Sequence, residues 1–276
     1  MIKNKSLKQM QKKLNLDLRN LCNWFKANKI SLNASKNELI LFRHSNKEVN
    51  YNLKIKIDGK KLQPYNYVKY LAIYLDPFLK WNYHVDIIAQ KLSRACGMLM
   101  KIRRYVSESP LISIYYAIFS SILTYGFQIF GQTQNRHINR LQKLQDRSVR
   151  IINFANYNDH RNPLYSKSKI LKFNDSIQLS NFLFVHDCNR QNIPVSLQNS
   201  FNLVSNVHNY STRKAIQHNM TLPKIKTKVF GIMSIKYQSA LIWNSLNSKF
   251  RCTKFYDKSH SFCKRFITEY IIQLYY

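Results

Sequence analysis

Acidic residues are scarce in this chain. Only 13 Asp and Glu stand against 44 Lys and Arg in 276 residues, a formal net charge of +31. Drift toward Lys and Asn would have raised Glu along with Lys, and it has not. The excess therefore points to a polyanionic partner, nucleic acid above all. Glycine and proline are also few, 5 and 6, which argues against a many-turned all-β sandwich and for long helices. The five cysteines (Cys22, Cys96, Cys188, Cys252 and Cys263) are scattered and odd in number, with no CxxC. That excludes a zinc knuckle or ribbon and reads as reduced thiols in an intracellular protein. His186 and Cys188 are neighbours, but two potential ligands do not make a metal site. The start, MIKNKSLKQMQKK, has no apolar core of a secretory signal. The longest apolar run, Leu111 to Phe130, is broken by Ser, Thr, Gly and Gln, so it reads as a buried helix and not a membrane span.

Catalytic signatures are missing too. Two-metal phosphoryl transfer needs carboxylates presented together, and the sequence has neither Asp-Asp nor Asp-x-Asp. There is no GxxxxGK[ST] phosphate loop and no GxSxG elbow. Asp58 and Asp76 read as turn residues.

What is present is a packable core, with 45% hydrophobic and 13% aromatic residues. Leu7, Met10, Leu14, Leu18, Leu21 and Phe25 recur at helical spacing, ending near Asn28. A short strand is expected over Leu39–Phe42. Leu53, Ile55 and Ile57 alternate with lysines ahead of Asp58-Gly59, a hairpin signal with Lys60–Gln63 as partner. Val68–Leu75 is a β-rich run. Helices are expected over Trp81–Arg104, from an Ser109-Pro110 cap through Tyr125, over Asn135–Phe154, Asp175–Arg190, Gly231–Leu246 and Phe255–Tyr270. Asn192–Thr221 reads as loop. The rings of Phe255, Phe262, Phe266 and Tyr270 read as core packing. The fold class is α+β, mostly α-helical, with a small antiparallel β element near the front.

The third helix is the most informative. Arg136, Arg140, Lys143, Arg147 and Arg150 are spaced four, three, four, three, a single basic stripe. Ile138, Leu141, Val149 and Ile152 lie opposite. Asp146 is the one acid in this helix, so the stripe is expected to lack neutralising partners. A solvated surface is the ordinary use of such charges; a phosphate backbone is the functional one. Lys91 and Arg94 fall largely off the apolar stripe of the Trp81–Arg104 helix and belong to the same candidate set.

Four segments in order resemble non-LTR (LINE-like, jockey-like) retrotransposon reverse transcriptases. They are WFKANKISLNASKNELILF (24–42), VKYLAIYLDPFLKWNYHV (68–85), IYYAIFSSILTYGFQIFG (114–131) with LQKLQDRSVRII (141–152), and YSTR (210–213) with GIMSIKYQSALIWNSL (231–246). The resemblance covers nearly the whole chain and implies the region after the polymerase active site. It implies that Lys36 is the motif D lysine near the nucleotide phosphates, and that Tyr70, Leu71 and Ala72 centre a primer-grip hairpin. The family usually has Gly at the position of Ala72 and Thr at that of Asn37. Residues 1–78 would be the end of the palm, 79–156 a thumb-like helical bundle and 157–276 a helical C-terminal region. The implied partners are RNA and DNA as a template-primer duplex, without membrane contact, together with palm and fingers expected upstream of Met1. The catalytic aspartates and their Mg2+ would belong to that upstream part. This chain alone is expected to be an inactive fragment with no cofactor of its own, nuclear by family resemblance and charge. The other reading is a stand-alone basic RNA- or DNA-binding protein derived from a retroelement.

Overall fold

The computed structural model describes residues 6–33, 36–44, 53–207, 210, 212–227, 231–250, 255 and 258–276. It is 60% helical with two small antiparallel hairpins, the mostly helical α+β class that low Gly and Pro content favours. The chain divides into two compact units, Met1–His84 and Val85–Tyr276.

The first unit opens with α1 (Leu7–Ala27), which stops at Asn28 and the left-handed Lys29. The first hairpin pairs β1 (Ile55–Ile57) with β2 (Lys60–Leu62) through Asp58-Gly59, both at positive φ. Such turns favour Asp-Gly because two successive left-handed residues match the twist of the strands. Ile55 and Ile57 point inward and Lys56 outward. The outer edge of this region is closed by side chains of α1. Gln11 Oε1 accepts from Lys54 N, and Asn15 both donates to Lys54 O and accepts from Lys56 N. These amides satisfy main-chain groups that an edge strand would otherwise leave open.

The expected strand over Leu39–Phe42 does not form. Leu39 makes one isolated bridge, to Pro64, and accepts from Tyr65 N. Proline has no N–H with which to continue the ladder. The run Val68–Leu75 is itself a hairpin, β3 (Val68–Tyr70) with β4 (Ile73–Leu75), closed by Leu71-Ala72. Asp58 and Asp76 are turn residues, as expected. The buried Asp76 carboxylate accepts from the backbone N–H of Phe78, Lys80 and Trp81 at 2.9, 3.1 and 2.9 Å. That turn leads into α2 (Asn82–Ile102).

In the second unit, Val85, Ile88, Ala89, Leu92, Ala95, Cys96 and Leu99 form the buried row of α2. Next come α3 (Glu108–Ile114), a π-helical turn at Tyr115–Ser120 and α4 (Ser121–Thr124), one continuous rod. Its cap is Ser107, not Ser109. Pro110 is tolerated as the third helical residue because first-turn N–H groups have no intrahelical acceptor. Gly126, at φ +66, turns the chain into α5 (Phe127–Phe130). Then follow α6 (Asn135–Ile152), α7 (Arg161–Ser168) and α8 (Phe173–Asn189). The stretch expected as loop contains two single-turn helices, α9 (Val195–Gln198) and α10 (Arg213–Ile216). The last two helices are α11 (Ile235–Phe250) and α12 (His260–Gln273). Part of the HNYSTR segment, at 208, 209 and 211, lies outside the described residues, as does Cys252.

The core of the C-terminal part forms where α11 and α12 meet α8. The Phe182 ring stacks on Trp243 at 4.8 Å, and Trp243 Nε1 donates to His218 O. Phe255 is buried there as expected, but Phe262 and Phe266 are not. Cys263 and Ile267 supply the inner face of α12, and the partly exposed Phe262 and Phe266 stack on each other, with Phe266 edge-on to the buried Phe255 at 5.4 Å. Among the described residues no helix is long and apolar enough to cross a membrane.

Candidate nucleic-acid interface

The helix α6 is two-sided. Ile138, Leu141, Val149 and Ile152 are buried, while Arg136, Arg140, Lys143 and Arg147 are exposed. Sequence spacing therefore gave the orientation of four of the five cations. Arg150, half-buried, turns away: it donates to Asp159 O at 3.4 Å and lies 5.8 Å from the Tyr157 ring centroid.

Asp146 does not interrupt the stripe. It faces inward, accepting from Tyr165 Oη at 2.8 Å, Gln142 Nε2 at 2.9 Å and the Arg161 guanidinium at 2.8 Å. Gln145 continues the network to Tyr115 Oη, Leu171 O and Phe173 N. Burial, reinforced by the Asp146 charge, pushes the Tyr165 phenol far up. These polar groups fasten α6 to α7 and to the start of α8, so the inner face is fixed by directional bonds as well as by packing. Sequence reasoning missed this network because Asp146 was read with the outer charges and Gln145 carries no charge to draw notice.

Within this unit the fold brings Arg94, Arg140 and Lys143 to one groove of about 620 Å³, whose floor includes Ala89, Ser93 and Leu144. The Cys96 thiol donates to Leu144 O at 3.6 Å across the same seam. Burial raises this thiol to about 11 against the lowering field of Arg147, which places that cation by the seam too. Burial, then Arg136 and more weakly Arg140, hold the His137 imidazole below its ordinary value, with Asp86 pulling the other way.

The stripe is not wholly unpartnered, as the sequence had suggested. Arg140 forms an ion pair with Asp86 on α2, both about half exposed (52% and 50%). Such an exposed pair is weak and exchangeable. Among the described residues, Lys91, Arg94, Lys143 and Arg147 form no ion pair. Lys91 is exposed on α2 but does not line the groove.

The remaining candidates lie in the first unit. Tyr70, Leu71 and Ala72 form the exposed tip of the second hairpin, with Leu71 and Ala72 at φ +46 and +63. At the second of these left-handed positions a glycine would be unstrained. Lys36 is exposed, and its N–H donates to Asn33 O. Ala34 and Ser35 of that segment lie outside the described residues.

Among the described residues, no group of three or more converging potential metal ligands consists of carboxylates alone, as a polymerase's Mg2+ pair would need. Asp76 and Asp146 are spent on backbone and side-chain donors, and Asp86 on Arg140. Among the described residues, the group of three potential ligands that converges has two imidazoles and one carboxylate, whereas Mg2+ takes oxygen ligands.

Among the described residues the fold thus presents a basic groove between two helices. Comparison with known proteins finds relatives of the chain. The chain is 27% identical over 128 residues to the RNA-directed DNA polymerase from mobile element jockey of Drosophila melanogaster, covering 45% of this chain and 14% of that protein. It is 26% identical over 157 residues to the probable RNA-directed DNA polymerase from transposon X-element of the same fly, covering 56% and 17%. Against the jockey polymerase of Drosophila funebris the figures are 25% over 152 residues, 54% and 16%. The chain is thus related to the reverse transcriptases of jockey-like non-LTR retrotransposons, and matches about a sixth of their length. No family model matches, and no solved structure does.

Proposed function

We propose that this chain is the part of a non-LTR reverse transcriptase that grips the template-primer duplex, and that it performs no polymerisation by itself. The observation that carries this reading is the α2–α6 groove, where Arg94, Arg140 and Lys143 converge in a chain related to RNA-directed DNA polymerases. Cations on two helix faces neutralise phosphates along a backbone and read no base edges, as a polymerase needs when it moves along any template. In this reading residues 1–78 are the end of the palm, with Lys36 near nucleotide phosphates and the Tyr70–Ala72 tip against the primer. Residues 79–156 are the thumb and 157–276 the C-terminal region. The carboxylates that hold Mg2+ would come from a palm segment outside these 276 residues, and the site of action would be the nucleus.

Photo-crosslinking of the purified chain to an RNA–DNA hybrid, with peptides mapped by mass spectrometry, tests the assignment. Crosslinks should concentrate on the exposed faces of α2 and α6. Crosslinks scattered in proportion to surface lysines would contradict it. A stand-alone RNA- or DNA-binding protein is the second reading; preference for single strands over the hybrid would favour it.

A further inference from the structure

We infer that His186, Asp187 and His260 form a transition-metal site, of the kind filled by Zn2+, that fastens the start of α12 to the end of α8. His186 and Asp187 sit in the last turn of α8, and His260 is the first residue of α12. Their ligand atoms all lie within 4.8 Å of one another. Both carboxylate oxygens of Asp187 approach His260 Nδ1, at 2.9 and 3.0 Å.

The second observation is the state of the His186 ring, which is 1% exposed. Its Nε2 lies 2.9 Å from Lys258 O. A carbonyl only accepts, so Nε2 carries the hydrogen. Nδ1 then faces Asp187 Oδ1 across 3.4 Å. A ring nitrogen and a carboxylate oxygen approach favourably only with positive charge between them, a ring proton or a metal ion, and a metal ion can also be shared with the His260 ring held on the same carboxylate. A metal ion there would take Nδ1 of both imidazoles and an oxygen of Asp187. The Lys258 carbonyl on the far nitrogen is the outer contact that metal-bound histidines usually have.

The donor set selects the metal class. Two imidazoles and one carboxylate suit Zn2+ and its neighbours, not Mg2+ or Ca2+. Ligands each about 2.0–2.1 Å from one ion lie at most about 4 Å apart, so the trio contracts slightly on binding. His260 is exposed and Asp187 partly so, which leaves water as the fourth ligand. Binding through Nδ1 places the hydrogen of the His260 ring on Nε2, and the ion competes with protons for both imidazoles. Nearby positive charge opposes the ion: Arg190 also donates to Lys258 O, and Lys264 lines the same cavity as Asp187 and His260. The affinity is accordingly modest for a zinc site.

The test uses the full chain, freed of metal and kept reduced. Co2+ is titrated in while the visible d–d absorption is followed, and the melting temperature is measured with and without Zn2+. One Co2+ per chain with a nitrogen- and oxygen-ligated spectrum, and a rise in melting temperature with Zn2+, is the expected result. His260→Ala and Asp187→Asn, both at partly exposed positions, should weaken binding by more than the roughly 10–100-fold that outer contacts cost. His186→Ala empties a buried position and can fail to fold, so the decision rests on the other two. No stoichiometric binding overturns the proposal. Binding that survives both variants, or a thiolate charge-transfer band, also overturns it, by placing the ion elsewhere.

Discussion

Ala72 shows how one residue's backbone links the sequence to the candidate site. It and Leu71 hold consecutive left-handed conformations at a hairpin tip, where side chains cost about 1–2 kcal/mol each. Glycine at position 72 removes most of that cost but adds the entropy that glycine loses on folding. Ala72→Gly should therefore stabilise the hairpin by about 0.5–1 kcal/mol, read as slower hydrogen exchange across Tyr70–Ile73; faster exchange would contradict the turn assignment. The thiols give a second test at this scale. Burial raises Cys96, Cys188 and Cys263 from 9.0 to about 11. Below pH 9 all three stay protonated in the folded and unfolded chain. Between pH 9 and 11 only the unfolded chain ionises, so stability falls as pH rises. Alkylation at pH 8 should spare these three until the chain is denatured. Residue types alone did not reveal these environments. Asp146 looked like a surface acid and is buried, and His260 lies 73 residues from Asp187, a separation no local pattern bridges.

At the scale of elements, periodicity carried most of the information. The cations of α6 fall on the outer face because Ile138, Leu141, Val149 and Ile152 claim the inner one. The Asp58-Gly59 hairpin was legible for a similar reason, since its turn chemistry and strand alternation agree. What failed was local propensity without a partner. Leu39–Phe42 has strand-like residues but faces a proline, and Phe262 has a core-like ring that stays partly exposed on α12. The α2–α6 groove itself could not be read from either helix alone. Asp86→Asn should free Arg140 and tighten hybrid binding, steepening its salt dependence by about one phosphate contact; unchanged affinity would mean Arg140 does not face the nucleic acid. Gly97 on α2 is exposed, and a Cβ there meets nothing within 4 Å. Gly97→Ala should stabilise the second unit by about 0.8–1.0 kcal/mol through helix propensity, measured as a higher denaturant midpoint with hybrid affinity unchanged.

For the whole molecule, +31 of net charge ensures attraction to any polyanion, so binding alone says little. The informative quantity is how that attraction is localised. Primer extension with Mg2+ should be absent for this chain alone, and templated incorporation would contradict the proposal that polymerisation needs carboxylates from elsewhere. The most direct test of the duplex-gripping account compares the salt dependence of hybrid binding between the natural chain and an Arg94→Ala, Lys143→Ala, Arg147→Ala variant. Each phosphate contact contributes about 0.7–0.9 to the slope of log affinity against log salt. The account predicts a slope shallower by about 2–3 in the variant, with the fold intact by circular dichroism. An unchanged slope would contradict it, and would leave the groove as solvated surface.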